Sequence, residues 1–132
     1  MYRGPKRVSR GRPAPLRSGA MTAYIKSVTF DCTDALVVAG FWAAALGSDV
    51  DEDSTVERAF VEAAGWGGPN MWFVQVPEKK AAKNRMHFDL RAPGGAVADE
   101  VARLAGLGAT VVQAGAALTV MRDPEGNEFC VQ

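Results

Sequence analysis

Phe41-Trp42-Ala43-Ala44-Ala45-Leu46-Gly47 reads as the closing turns of a helix, and Leu104 to Ala109, with its own Leu107-Gly108, reads as the close of a second. The two Leu-Gly ends stand 61 positions apart. Working outward from the first, Val37, Val38, Phe41, Trp42, Ala45 and Leu46 recur at helical spacing, Thr33 or Asp34 can cap the start, and Gly47 suits a left-handed end. Before that helix, residues 24–31 alternate, with Tyr24, Lys26, Val28 and Phe30 opposed to Ile25, Ser27, Thr29 and Asp31, which is a strand with one markedly polar face. After it, three short strands are expected at 48–51, 56–61 and 70–76. Gly65-Trp66-Gly67-Gly68-Pro69 separates the last two.

The second half repeats this order. Residues 86–91 alternate, with His87, Asp89 and Arg91 on the polar face. A helix follows with Val97, Val101 and Leu104 on one stripe and Asp99 spaced to pair with Arg103. Strands at 110–113, 117–121 and 127–132 complete it, the last entered through the turn Asp123-Pro124-Glu125-Gly126-Asn127. The chain is therefore expected to be α+β, with two βαβββ modules over about 21–78 and 84–132 whose mixed sheets form a curved cup.

Charge divides the chain differently. The 15 basic and 15 acidic residues cancel, but residues 1–20 hold Arg3, Lys6, Arg7, Arg10, Arg12 and Arg17 and no acid. That segment is +6 and the remaining 112 residues are −6. Rich in Pro and Gly and poor in groups to bury, residues 1–20 read as a disordered basic tail, and 21–132 as the folded domain. Nucleic acid is expected as a partner only through that tail, since the domain is acidic. No apolar run is long enough to span a bilayer, so no membrane partner is expected, and two cysteines cannot staple a secreted mini-protein. A cytoplasmic setting is the default expectation.

Four segments, 41–47, 83–90, 104–109 and 122–131, together resemble the glyoxalase-like branch of the vicinal oxygen chelate superfamily (glyoxalase, bleomycin resistance and dioxygenase proteins) across 21–132. The resemblance implies the paired-module fold and a small-molecule ligand in the cup, but not one chemistry. It also implies four metal-ligand positions on the first and last strands of the modules. Here these fall on Ser27, on Gln75 (or Phe73 if the register differs), on His87 and on Cys130. A serine, a neutral glutamine and a cysteine where family metalloenzymes usually carry glutamate make a poor set, so a divalent metal (Zn, Ni, Mn or Fe) is disfavoured as a cofactor and no metal ligands are assigned.

His87, the single histidine, is the expected acid or base. Ser27, Thr29, Gln75, Asp89, Glu128 and Cys130 are the expected ligand-binding residues, with Met71, Phe73, Met121 and Trp66 as apolar walls and Asp89 and Arg91 paired with each other or with Asp31. Lys79, Lys80, Lys83 and Arg85 form a basic loop able to draw an anionic substrate. The function so implied is a lyase or isomerase with a degraded or absent metal site, acting on a small polar molecule. The alternative is a non-catalytic, antibiotic-type binding protein, and the cup can be completed within one chain or by a homodimer exchanging modules.

Overall fold

The computed structural model describes residues 21–64 and 68–132; the expected tail at 1–20 and Trp66 lie outside the described residues. Strand β1 (Ser27–Cys32) leads into helix α1 (Ala35–Leu46), then β2 (Arg58–Val61) and β3 (Asn70–Gln75). The second half holds β4 (Phe88–Leu90), α2 (Val97–Gly106), β5 (Thr110–Gln113), β6 (Thr119–Arg122) and β7 (Glu128–Val131). In the first sheet the order is β1-β3-β2, with β1 parallel and β2 antiparallel to β3. The second sheet runs β4-β7-β6-β5, with β4 parallel to β7 and the rest antiparallel. The repeat read from the two Leu-Gly ends is thus a repeat of topology.

One strand is missing from it. The segment expected as a strand at 48–51 makes only the single bridge Val50↔Val61, in the place β5 occupies in the second module. Local polar bonds compete for its backbone: Asp51 accepts from the Asp53 and Ser54 amides, and the Ser54 hydroxyl oxygen accepts from the Phe60 amide. With one β-branched apolar residue among acids, nothing outweighs these turns.

Helix α1 begins at Asp34, whose carboxylate accepts from the Val37 amide, and ends at Gly47 in the left-handed region (φ 70°). A Cβ at Gly47 would meet nothing within 4 Å, so Gly47→Ala isolates the backbone strain and is expected to cost about 1 kcal/mol in chemical denaturation. Helix α2 departs from the expected charge pairing. Arg103 bonds Glu100 rather than Asp99, and its guanidinium also donates to the Ala44 and Ala45 carbonyls in the last turn of α1. Those carbonyls have no helical partner, which is why they draw the cation.

The core joins the modules through α1. Trp42 is buried and its ring lies edge-on to Phe88 at 5.5 Å and to Phe129 at 5.2 Å, both from the second module, while Phe30 of the first stacks on Phe73 at 5.5 Å. Met71, Phe73 and Met121, expected as cup walls, are instead fully buried core residues on the helix side of their sheets. The β3 positions sharing a face with Thr29 and Asp31 are Trp72 and Val74, an offset of one residue from Met71 and Phe73. No helix among the described residues is long and apolar enough to cross a membrane.

Candidate functional site

Strands β1 and β4 are the edge strands of their sheets, and a cavity of about 540 Å³ opens between them. Its floor is aromatic. Phe30, Trp42 and Phe88 meet there with ring centroids 5.5 to 6.3 Å apart, and Val28 and Cys32 of β1 extend it. The rim carries Thr29, Asp31 and His87, and the segment from Val76 to Met86, which links the modules, forms one wall.

Three carboxylates organise the far end. Glu125, in the turn before β7, accepts hydrogen bonds from the Thr33 amide and hydroxyl and from the Asp34 amide, so the second module caps the helix start of the first. Asp123, 3% exposed, accepts from the Trp42 indole N–H at 2.9 Å, from the Glu125 and Asn127 amides and from the Asn127 side chain. Glu128 holds the linker: Lys80 Nζ lies 2.8 Å from its carboxylate, the Asn84 amide donates to it at 3.1 Å, and the Asn84 side chain donates to Asn127. Burial works to raise the Glu128 carboxyl, but the bond from Lys80, the Asn84 amide and the lysine charge outweigh it and bring it from 4.5 to about 2. Lys80 is therefore committed to a structural pair and is not one of the free charges of the expected basic loop.

His87 Nε2 lies 3.2 Å from Asp89 Oδ1. Asp89 thus pairs with His87 and not with Arg91 or Asp31. Asp89 stands opposite Cys130 in the β4–β7 register, and ligand atoms of His87, Asp89 and Cys130 lie within 4.8 Å of one another. Burial, and then the Asp89 charge, raise the Cys130 thiol, so it is a protonated neighbour and not a ready nucleophile. Cys32 in the cavity is pushed further, to about 11, chiefly by burial and then by Glu125.

Of the residues expected at the site, Thr29, His87 and Glu128 line the cavity. Asp89 and Cys130 stand behind His87 on the same sheet. Ser27 pairs with Asn70 farther along β1, and Gln75 is in register with Cys32 and donates its amide to the Thr33 carbonyl. Phe30, Trp42 and Phe88 read in the sequence as apolar positions of their elements, and Asn84 only as part of the 83–90 segment, with no role at the site.

The metal implied by the family resemblance does not fit this donor set. The second module supplies three donors in His87, Asp89 and Cys130, a weak and incomplete cluster with its histidine and aspartate exposed. On the same face of the first module, β3 offers Asn70, whose amide oxygen accepts from the Ala63 amide, Trp72 and Val74, and β1 offers the Ser27 and Thr29 hydroxyls and the Asp31 carboxylate. None of these joins the cluster of His87, Asp89 and Cys130, so among the described residues no set of ligands from both modules is assembled.

Among curated proteins none matches significantly. Solved structures do. A glyoxalase/bleomycin resistance protein/dioxygenase family enzyme from Burkholderia phytofirmans aligns with a TM-score of 0.65 at 20% identity, covering 83% of this chain and 97% of that one. A protein described as a possible glyoxalase from Bacillus cereus gives 0.65 at 17%, covering 84% and 99%. A fosfomycin resistance protein from Mesorhizobium loti gives 0.64 at 14%, covering 85% and 92%. At these identities the likeness is one of fold. Residues 27–132 match the glyoxalase-like domain family, and with the paired modules described above this places the chain in that family, within the glyoxalase, bleomycin resistance and dioxygenase (vicinal oxygen chelate) superfamily.

Proposed function

We propose that this protein binds a small organic molecule in the cavity between its modules, and that His87 moves a proton on that molecule without the bridging metal of its metal-dependent relatives. The observation that carries the reading is the position of His87, on the rim of the cavity between β1 and β4, with Asp89 behind it. A carboxylate against Nε2 fixes the ring's orientation and tautomer, as a general acid or base requires. Lyase or isomerase chemistry, which shifts a proton next to a carbonyl or a leaving group, is the reaction class that such a group serves. Thr29 contributes a hydroxyl at the rim, Glu128 shapes the wall through its hold on the linker, and Ser27, Gln75 and Cys130 act at most by supporting these residues.

A second reading, ligand sequestration without turnover, is favoured by one feature: the His87 and Asp89 side chains are 46% and 53% exposed, so water is not excluded around them. A thermal-shift screen of small organic acids, alcohols, aldehydes and ring compounds, followed by turnover assays on each stabilising compound, separates the two. If the protein is an enzyme, His87→Ala is expected to slow turnover roughly 100-fold or more while leaving binding within a few-fold. Equal turnover in His87→Ala would remove the proton-transfer role. Tight binding of a compound that no assay sees converted would favour sequestration.

A further inference from the structure

Resting on that cavity reading, we propose that the cavity selects a neutral, flat ring carrying a hydroxyl at its outer end, the chemistry of a phenol, rather than a small polar acid. The inner surface decides the first half of this. Phe30, Trp42 and Phe88 line it, Trp42 almost wholly buried behind the other two, and the polar side chains beside them are already engaged. The Trp42 indole N–H is given to Asp123, the Glu125 carboxylate to Thr33 and Asp34, and the Glu128 carboxylate to Lys80 and Asn84. Among the described residues no buried side-chain nitrogen or oxygen lacks a partner. A carboxylate pushed to the floor would lose water and meet side chains whose polar atoms are already engaged, whereas a ring loses little and gains edge-to-face contacts. The volume, about 540 Å³, is in the range of sites that enclose such molecules.

The rim decides the second half. Asp31 and Glu78 stand there against Lys79 and Arg85, and none of the four has an ion-pair partner among the described residues, so the rim offers no net field for an anion or a cation. His87 gives the direction of the remaining bond. A carboxylate only accepts, so Nε2 facing Asp89 carries the proton, and Nδ1 of the neutral ring is left as an acceptor for a ligand hydroxyl.

Calorimetric titration of the full chain with 4-methylphenol, 4-methylbenzoate and lactate tests this. The expected result is one 4-methylphenol per chain, weaker binding of the benzoate, and no lactate binding. Val28→Phe, which fills the cavity from β1, is expected to weaken 4-methylphenol roughly tenfold or more, about 1.4 kcal/mol. Arg58→Ala, on the cation–π contact with Trp72 in the first sheet and outside the cavity lining, is expected to change nothing. A backbone amide shift map with 4-methylphenol keeps the test valid if Val28→Phe does not fold; shifts are expected along Thr29–Thr33 and at Phe88. If lactate or the benzoate binds tighter and Val28→Phe abolishes it, the ring inference falls while the cavity reading stands. No binding of any of the three, or 4-methylphenol shifts confined to residues away from the cavity, overturns the ring inference; in the second case the cavity reading falls with it.

Discussion

Asp123→Ala is expected to destabilise the protein by about 3 kcal/mol or more, measured by urea unfolding at neutral pH. One carboxylate, 3% exposed, accepts from two backbone amides, the Asn127 side chain and the Trp42 indole. Alanine leaves those donors facing one another in a buried corner, and unpaired buried donors cost more than the bonds themselves contribute. The damage also travels. Trp42 is the ring that joins α1 to Phe88 and Phe129, and its orientation depends on the bond to Asp123, so the loss reaches the contact between modules and the cavity floor. Trp42→Phe, which gives up that bond but keeps most of the ring, should cost less, and the double mutant should cost less than the two single changes added together. A loss under about 1 kcal/mol in Asp123→Ala would mean that the turn before β7 holds itself.

Glu128→Gln is expected to cost about 2 kcal/mol at pH 7, and this cost should vanish in acid. The direction follows from the carboxyl's two values, 4.5 as an ordinary side chain and about 2 in the fold. A carboxyl lowered by folding contributes fully above its unfolded value and loses that contribution as the pH drops through the folded one. The difference in unfolding free energy between wild type and Glu128→Gln should therefore be constant above pH 4.5 and shrink toward zero as the pH approaches 2. Comparing the two proteins at each pH cancels the other titrating groups. A difference that stays flat across that window would show that Lys80 and Asn84 do not hold the linker through the charge on Glu128.

Much of this fold was legible because the sequence states it twice. The Leu-Gly helix ends, the two alternating segments before the helices and the Asp-Pro-Glu-Gly turn are local signals, each set by backbone geometry at a few neighbouring residues. The strand missing at 48–51 failed for a local reason too, the capture of its backbone by Asp51 and Ser54, but its absence shows only once those bonds are compared with the single apolar residue, Val50, that opposes them.

The site was harder. Alternation fixes which residues share a face but not which face is buried, and in β3 a one-residue offset moved Met71 and Phe73 from the expected walls into the core. Long-range partners leave no trace in a single chain. Lys80 and Glu128 are 48 positions apart, Thr33 and Glu125 are 92, and nothing in either neighbourhood announces the other. His87 was legible as the only imidazole, and its position on the cavity rim gives that singling-out a geometry. The cavity itself lies between the edges of two sheets and not on their open faces, a placement that depends on how α1 draws the modules together through Trp42.

In the function proposed above, His87 works on a molecule in the cavity without a metal held by His87, Asp89 and Cys130. Metal analysis of the purified full chain, expressed with ample zinc, nickel, manganese and iron, tests this most directly. The predicted result is substoichiometric metal that a chelator removes with no change in melting temperature. One equivalent of a transition metal, retained through dialysis and lost in His87→Ala, would contradict it.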